Sequence, residues 1–303
     1  VHAETPRAAL APGLLLALVG AVAFSGKAVV VKLAYRWGAE AGVTVDAVTL
    51  LMWRMLLALP LFLALALWAG RGQPSLTRRQ WQQLALLGFT GYYLASFLDF
   101  AGLQYISASL ERLILYLNPT LVLLLGWLLH GRPVRGRQGL AMALSYAGVA
   151  LVLGQELHLE GGDTLKGALL VLGSAISYAI YLSRSGEVVH DIGTLRTTGW
   201  ATSIASVLCI GQFLLLRPPA AAVLPEPVLW LSLLNALACT FVPVLCVMAA
   251  IRRIGAPLTA QAGMVGPMST LLLAAIFLDE PLGASVLAGT ALVLAGVALV
   301  ARR

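Results

Sequence analysis

The chain has 303 residues, of which 60% are apolar and only 11% charged, with a mean hydropathy of +0.90. A soluble domain carries about 25% charged residues, so a water-facing surface is excluded and a lipid bilayer must be the main solvent. The net charge of +7 suggests nucleic acid only until its distribution is read, because the basic residues follow loops and form no patch.

In chain order the apolar runs are 10–35, 44–69, 82–99, 105–129, 138–154, 166–184, 195–216, 227–250, 256–278 and 283–301. Each is long enough, or nearly so, to cross ~30 Å of hydrocarbon as a helix. The run from Ala8 to Gly26 is too long and uninterrupted for a cleaved signal peptide and is read as the first span. The expectation is an all-α integral membrane protein of ten transmembrane helices.

Lysine and arginine set the orientation. With the N-terminus in the cytoplasm, the inner segments carry Arg7, Arg71, Arg78, Arg79, Arg132, Arg135, Arg137, Arg184, Arg196, Arg252, Arg253, Arg302 and Arg303. The outer segments carry only Arg36, Lys166 and Arg217, beside acidic Glu156, Glu160, Asp163, Asp279 and Glu280. Both termini are therefore placed in the cytoplasm of a bacterial-type inner (plasma) membrane, with a multi-pass chain between them.

Two stretches repeat. Residues 105–152 align without a gap on 253–300 at an offset of 148: Pro119 meets Pro267, Pro133 meets Pro281, and AGVALV at 147–152 meets AGVALV at 295–300. Five spans per copy is odd, so the second copy must be inverted. The turn after the fourth span is basic and its counterpart after the ninth is acidic, as inversion requires. Inverted repeats of this kind are how many secondary transporters rock about a central site. The expected halves are 8–154 and 165–301.

The motifs YISASL…NPTLVLLLGWLL and SYAGVALV, the repeat with LDEPL, and AFSGKAVVVKLAY with WRMLLALPLFLALAL in the opening spans resemble the EamA domain of the drug/metabolite transporter superfamily. The resemblance covers nearly the whole chain. It implies two inverted EamA-like repeats, a central cavity and export or exchange of metabolites such as amino acids. The first copy departs from the pattern, with His130-Gly131-Arg132-Pro133 where the second has Asp279-Glu280-Pro281.

Charges inside spans cost about 2.5–3.5 kcal/mol each on insertion scales and so face a cavity or each other. Lys27, Lys32, Arg54, Glu111 and Arg112 lie in the outer half or near mid-depth of the first repeat, whereas Asp46 and Asp99 sit near span ends. Lys32 reads as snorkelling. Arg54 and Glu111 are either a structural ion pair or substrate contacts, and Lys27 and Arg112 are cavity candidates. Three cations against one deep carboxylate favour a substrate with an anionic group, since Arg matches carboxylate geometry. Glu111 could instead take up a proton. Tyr92, Tyr116, Asn118, Tyr178, Tyr181, Trp200 and Gln261 complete the candidate substrate-binding residues, although aromatics can be interfacial belts and amides can simply bond neighbouring helices.

No cofactor or metal is implied. Ser25-Gly26-Lys27-Ala28 lacks both the first glycine and the hydroxyl of a P-loop, and His2, His130, His158 and His190 are scattered. Cys209, Cys239 and Cys246 lie in apolar runs without metal or disulfide spacing. The partners expected are a small-molecule substrate and the bilayer, with no nucleic acid. Small-residue pairs Ala143/Ala147 and Ala291/Ala295 mark close packing within or between subunits, which leaves a homodimer open. The function expected is a secondary transporter and no enzyme, and the rival reading is a polytopic membrane enzyme or a non-transporting scaffold.

Overall fold

The computed structural model describes residues 7–131, 133, 136–160 and 162–301. Arg132, Arg135, Arg302, Arg303 and His2, named above, lie outside the described residues. Among the described residues every regular element is helical. The helices are α1 (Arg7–Glu40), α2 (Ala47–Ala69), α3 (Arg78–Leu87), α4 (Ala95–Gly102), α5 (Ala108–Leu115), α6 (Asn118–His130), α7 (Gly136–Glu160), α8 (Asp163–Ile192), α9 (Thr194–Leu216), α10 (Glu226–Ala236), α11 (Val242–Gly263), α12 (Gly266–Phe277) and α13 (Ala284–Ala301). Where consecutive helices run on, eight segments are long and apolar enough to cross a membrane: Leu10–Glu40, Ala47–Ala69, Arg78–Gly102, Ala108–Leu128, Gly136–His158, Asp163–Ile192, Thr194–Leu216 and Glu226–Gly255. Gln261–Phe277 and Ala284–Leu299 are shorter apolar helices.

Local chemistry starts and stops these helices. Asp46 caps α2 by accepting from the amides of Val48 and Thr49, Thr77 and Gln80 form a capping box at α3, and Ser107 caps α5. Such caps satisfy amides that have no partner within the helix. The run 105–129, which reads as one span, is two helices. It breaks at Tyr116 and Leu117, just before Asn118-Pro119. Its repeat breaks at Met264 and Val265, just before Gly266-Pro267, at the same offset of 148. Proline has no N–H to give the preceding turn and is best placed near the start of a new helix. A π-helical segment joins α3 to α4 at Gly88–Leu94 and another joins α10 to α11 at Leu237–Phe241, again in register.

The halves pack by exchange of equivalent parts. α2 lies along α9 and α7 along α13, each helix against its counterpart. α1 packs on α11 and α12, as α8 packs on α4 and on α5 and α6. The α7–α13 crossing needs glycine: a Cβ at Gly148 would stand 2.5 Å from the Gly289 carbonyl oxygen, and one at Gly289 would stand 2.7 Å from that of Gly148. Ala143, Ala147, Ala291 and Ala295 are all exposed and point away from this crossing.

One end of the bundle carries Arg71, Arg78, Arg184, Arg196 and Arg252 and is called the basic end. The opposite end carries Glu40, Asp46, Glu156, Glu226 and Glu280 and is called the acidic end.

Candidate substrate cavity

A cavity of about 560 Å³ lies between α1, α5, α8, α9, α11, α12 and the first π segment. Its lining runs from Phe24, Ser25, Arg112, Tyr116 and Gly266 at mid-depth to Val189, Thr194 and Ile251 toward the basic end. The helix breaks matter here. The turn at Tyr116 and the one at Met264 and Val265 meet, and Tyr116 donates its hydroxyl to the Gly263 carbonyl at 3.2 Å.

Of the residues expected at a site, Tyr92, Arg112, Tyr116, Tyr178 and Tyr181 line the cavity. The Tyr178 and Tyr181 rings stack at 5.2 Å, Tyr92 meets Tyr181 edge-on at 5.4 Å, and the Tyr92 and Tyr181 hydroxyls are 3.2 Å apart. Arg112 is 5% exposed. Its Nε donates to Thr270 Oγ1 at 2.8 Å, and one Nη donates to the Phe24 carbonyl at 3.4 Å. Thr270 and Ser25 complete this shelf, with Ser25 Oγ donating to the Gly266 carbonyl at 2.9 Å. Arg112 makes no salt bridge among the described residues.

Lys27, Glu111 and Arg54 are buried beside the cavity and do not line it. The ion pair weighed between Arg54 and Glu111 is not formed. Glu111 pairs with Lys27 at 3.0 Å, and Lys27 also pairs with Asp99. Arg54 turns to the other repeat, where Nε donates to Thr240 Oγ1 at 2.9 Å and the guanidinium lies 5.3 Å from the Phe100 ring centre. Asp99 is only 2% exposed, so the count of three cations against one deep carboxylate becomes three against two. Lys32 donates to the Ile106 carbonyl at 2.8 Å.

The other candidates lie elsewhere. Asn118 donates to the Leu115 carbonyl at 2.6 Å and ties the break between α5 and α6. Trp200 packs edge-on against Trp81 at 4.9 Å near the basic end, and Gln261 is exposed. Asp99, Thr270 and Thr240 were missed. Asp99 gave the same signal as Glu111, a carboxylate in an apolar run, but its position three residues before the end of α4 concealed its burial. The two threonines carry no signal in sequence, because a hydroxyl in a span usually bonds its own helix.

The acidic end is tied across the repeats. Glu280 accepts from the Ala108 and Ser109 amides, Arg36 donates to the Phe277 carbonyl, and Arg217 pairs with Asp46 at 3.0 Å. Burial works against the ionised Asp46, but the Arg217 and Thr49 hydrogen bonds outweigh it and hold the carboxyl below the usual range.

Comparison with known proteins adds to this geometry. Residues 11–154 and 165–302 each match the sequence profile of the EamA-like transporter family. Uncharacterized transporter YcbK of Bacillus subtilis (strain 168) is 32% identical over 286 residues, which cover 90% of this chain and 87% of that protein. An uncharacterized transporter of Archaeoglobus fulgidus is 25% identical over 166 residues, 54% of this chain and 56% of that one. A solved crystal structure aligns over 97% of this chain and 99% of its own with a TM-score of 0.62, at 18% identity, which shows a shared fold alone.

Proposed function

The chain belongs to the EamA-like transporter family, and from that premise we propose that it is a secondary transporter of small carboxylate-bearing metabolites, such as amino acids, which it exports or exchanges by alternating access. In this reading ten spans form two inverted repeats, 8–154 and 165–301, in a bacterial-type inner membrane with both termini in the cytoplasm. The cavity then opens toward the cytoplasm and the acidic end is the closed outer side.

The observation that carries the substrate class is Arg112, a buried guanidinium on the cavity wall that has no carboxylate partner among the described residues. A buried cation costs free energy unless it is paired, and a solute carboxylate supplies that pair. The rings of Phe24, Tyr92, Tyr116, Tyr178 and Tyr181 supply apolar and stacking surface for the rest of the solute, within a volume ordinary for small-molecule sites, about 300–1,000 Å³. Lys27, Glu111 and Arg54 act from behind the wall. Asn118 ties the break between α5 and α6, Trp200 packs on Trp81 of α3, and Gln261 is exposed outside the cavity.

The test is thermal stability of the purified protein in detergent against anionic, zwitterionic and cationic metabolites. A ligand selective for the folded state stabilises it by about 2.7 kcal/mol at a hundredfold excess over Kd. Stabilisation by carboxylate-bearing compounds that Arg112→Gln abolishes is the expected result. Stabilisation by cations alone overturns the substrate class.

A further inference from the structure

The Lys27, Asp99 and Glu111 cluster lies outside the cavity, and solute binding makes no use of it. It joins α1, α4 and α5, with its three residues 6%, 2% and 0% exposed. Lys27 Nζ pairs with Asp99 Oδ2 and stands 3.0 Å from Glu111 Oε1. The one Lys27 ammonium thus bridges the Asp99 and Glu111 carboxyls and holds both at the same buried point. Two ionised carboxylates are acceptors only and cannot bond each other. Asp99 Oδ1 and Glu111 Oε2 receive no hydrogen bond from a protein donor among the described residues, and Glu111 Oε1 has only the Lys27 ammonium.

The other charged or titratable groups facing the cluster are engaged elsewhere. Arg54 on α2 donates to Thr240, and Arg112 on α5 donates to Thr270. Tyr35 on α1 donates its hydroxyl to the Phe100 carbonyl at 2.7 Å. Cys209 on α9 and Cys239 in the second π segment are buried thiols behind Arg54. One ammonium therefore sits between two buried carboxyls, and like-charged carboxyls sharing a site hold a proton between them.

We infer that Asp99 and Glu111 share one bound proton in this conformation and release it when the acidic end opens, which links the transport cycle to proton binding. The inference rests on the alternating-access reading. Glu111 lies between Ser109, tied to Glu280, and Arg112, tied to Thr270. Both ties run to the second repeat and break when the repeats part at that end. Water then reaches the pair, where free carboxyls ionise near pH ~4. The carboxyl O–H bond breaks, the proton passes to that water, and Lys27 faces two hydrated carboxylates. The closed acidic end thus holds one proton more than the open one. By linkage, each unit rise in pH favours opening by up to about tenfold between the two states' titrations.

Two measurements without any solute test this, so their failure is distinct from failure of the transport reading. Infrared difference spectra at neutral pH are expected to show the carbonyl stretch of a protonated carboxyl, lost on alkalinisation and absent in both Asp99→Asn and Glu111→Gln. Spin labels at Gln104 and Leu282, exposed on either side of the Ser109–Glu280 tie, are expected to separate as pH rises in the parent chain and to ignore pH in the two carboxamide variants. Absence of the protonated band at neutral pH overturns the inference, as do label distances that ignore pH in the parent. Should one variant fail to fold, the other and the parent spectra decide the matter alone.

Discussion

Glu280 accepts hydrogen bonds from the backbone amides of Ala108 at 2.7 Å and Ser109 at 3.1 Å, so a carboxylate of the second repeat caps a helix of the first. A carboxylate there meets both unpaired amides and the positive end of the helix dipole. Counted back by the repeat offset, Glu280 corresponds to Arg132. The sequence thus carries the anionic cap at only one end of the molecule.

Removing that cap should loosen the acidic end. Glu280→Ala is expected to cost about 1 kcal/mol, as loss of a helix cap does. Amide hydrogen exchange of the peptide spanning 108–110 should speed up about fivefold. Unchanged exchange would mean that the tie across the repeats does not hold in the native protein.

The two buried arginines should behave differently. Arg112→Gln is expected to weaken binding of a stabilising carboxylate solute by tenfold or more, since a hydrogen bond to a charged group contributes about 1.5–3 kcal/mol. Arg54→Gln, which removes the guanidinium from Thr240 and Phe100, should lower the melting temperature with binding largely kept. Isothermal titration and melting curves on both variants separate the two roles, and equal loss of binding would place Arg54 in contact with solute.

Close packing of α2 on α9 depends on Gly199, where a Cβ would stand 2.8 Å from the Ala66 backbone. Gly199→Ala should destabilise the protein by about 1–3 kcal/mol through overpacking. Gly126→Ala is the control, because open space surrounds that site and alanine favours a helix by roughly 1 kcal/mol. Melting temperatures that fall for both substitutions would contradict this packing.

The Asp46–Arg217 pair carries a pH dependence. Arg217 holds the Asp46 carboxyl low against burial. A folded value below the unfolded one gives stability that is full above the unfolded value, about 3.9. That stability is lost as pH falls through the lower folded value. Both groups are partly exposed, so solvent screening limits the effect to about 1 kcal/mol. Acid melting curves of Asp46→Asn should lack this slope, and identical curves would show the pair to be inert.

Much of the fold was legible in the chain itself. Apolar runs bounded by arginine-rich turns mark helices because lipid forces each backbone to satisfy its own hydrogen bonds. The offset of 148 marks two copies, whereas the breaks before Asn118-Pro119 and Gly266-Pro267 came only with the structure, because a transmembrane helix also tolerates proline without ending. Arg112, Tyr116 and the three tyrosines Tyr92, Tyr178 and Tyr181 could be named because polar groups are rare in spans.

Pairing was another matter. Sequence placed Lys27, Arg54, Glu111 and Arg112 at similar depth, and any of them could have met any other. Only the tertiary structure decided that Lys27 takes both Glu111 and Asp99, while the arginines turn to Thr240 and Thr270 of the second repeat. Depth follows from counting residues along a helix, but the direction a side chain faces depends on how that helix is rotated against its neighbours. That rotation is set by close crossings such as Gly148 on Gly289 and Gly199 on Ala66, which join residues more than a hundred positions apart.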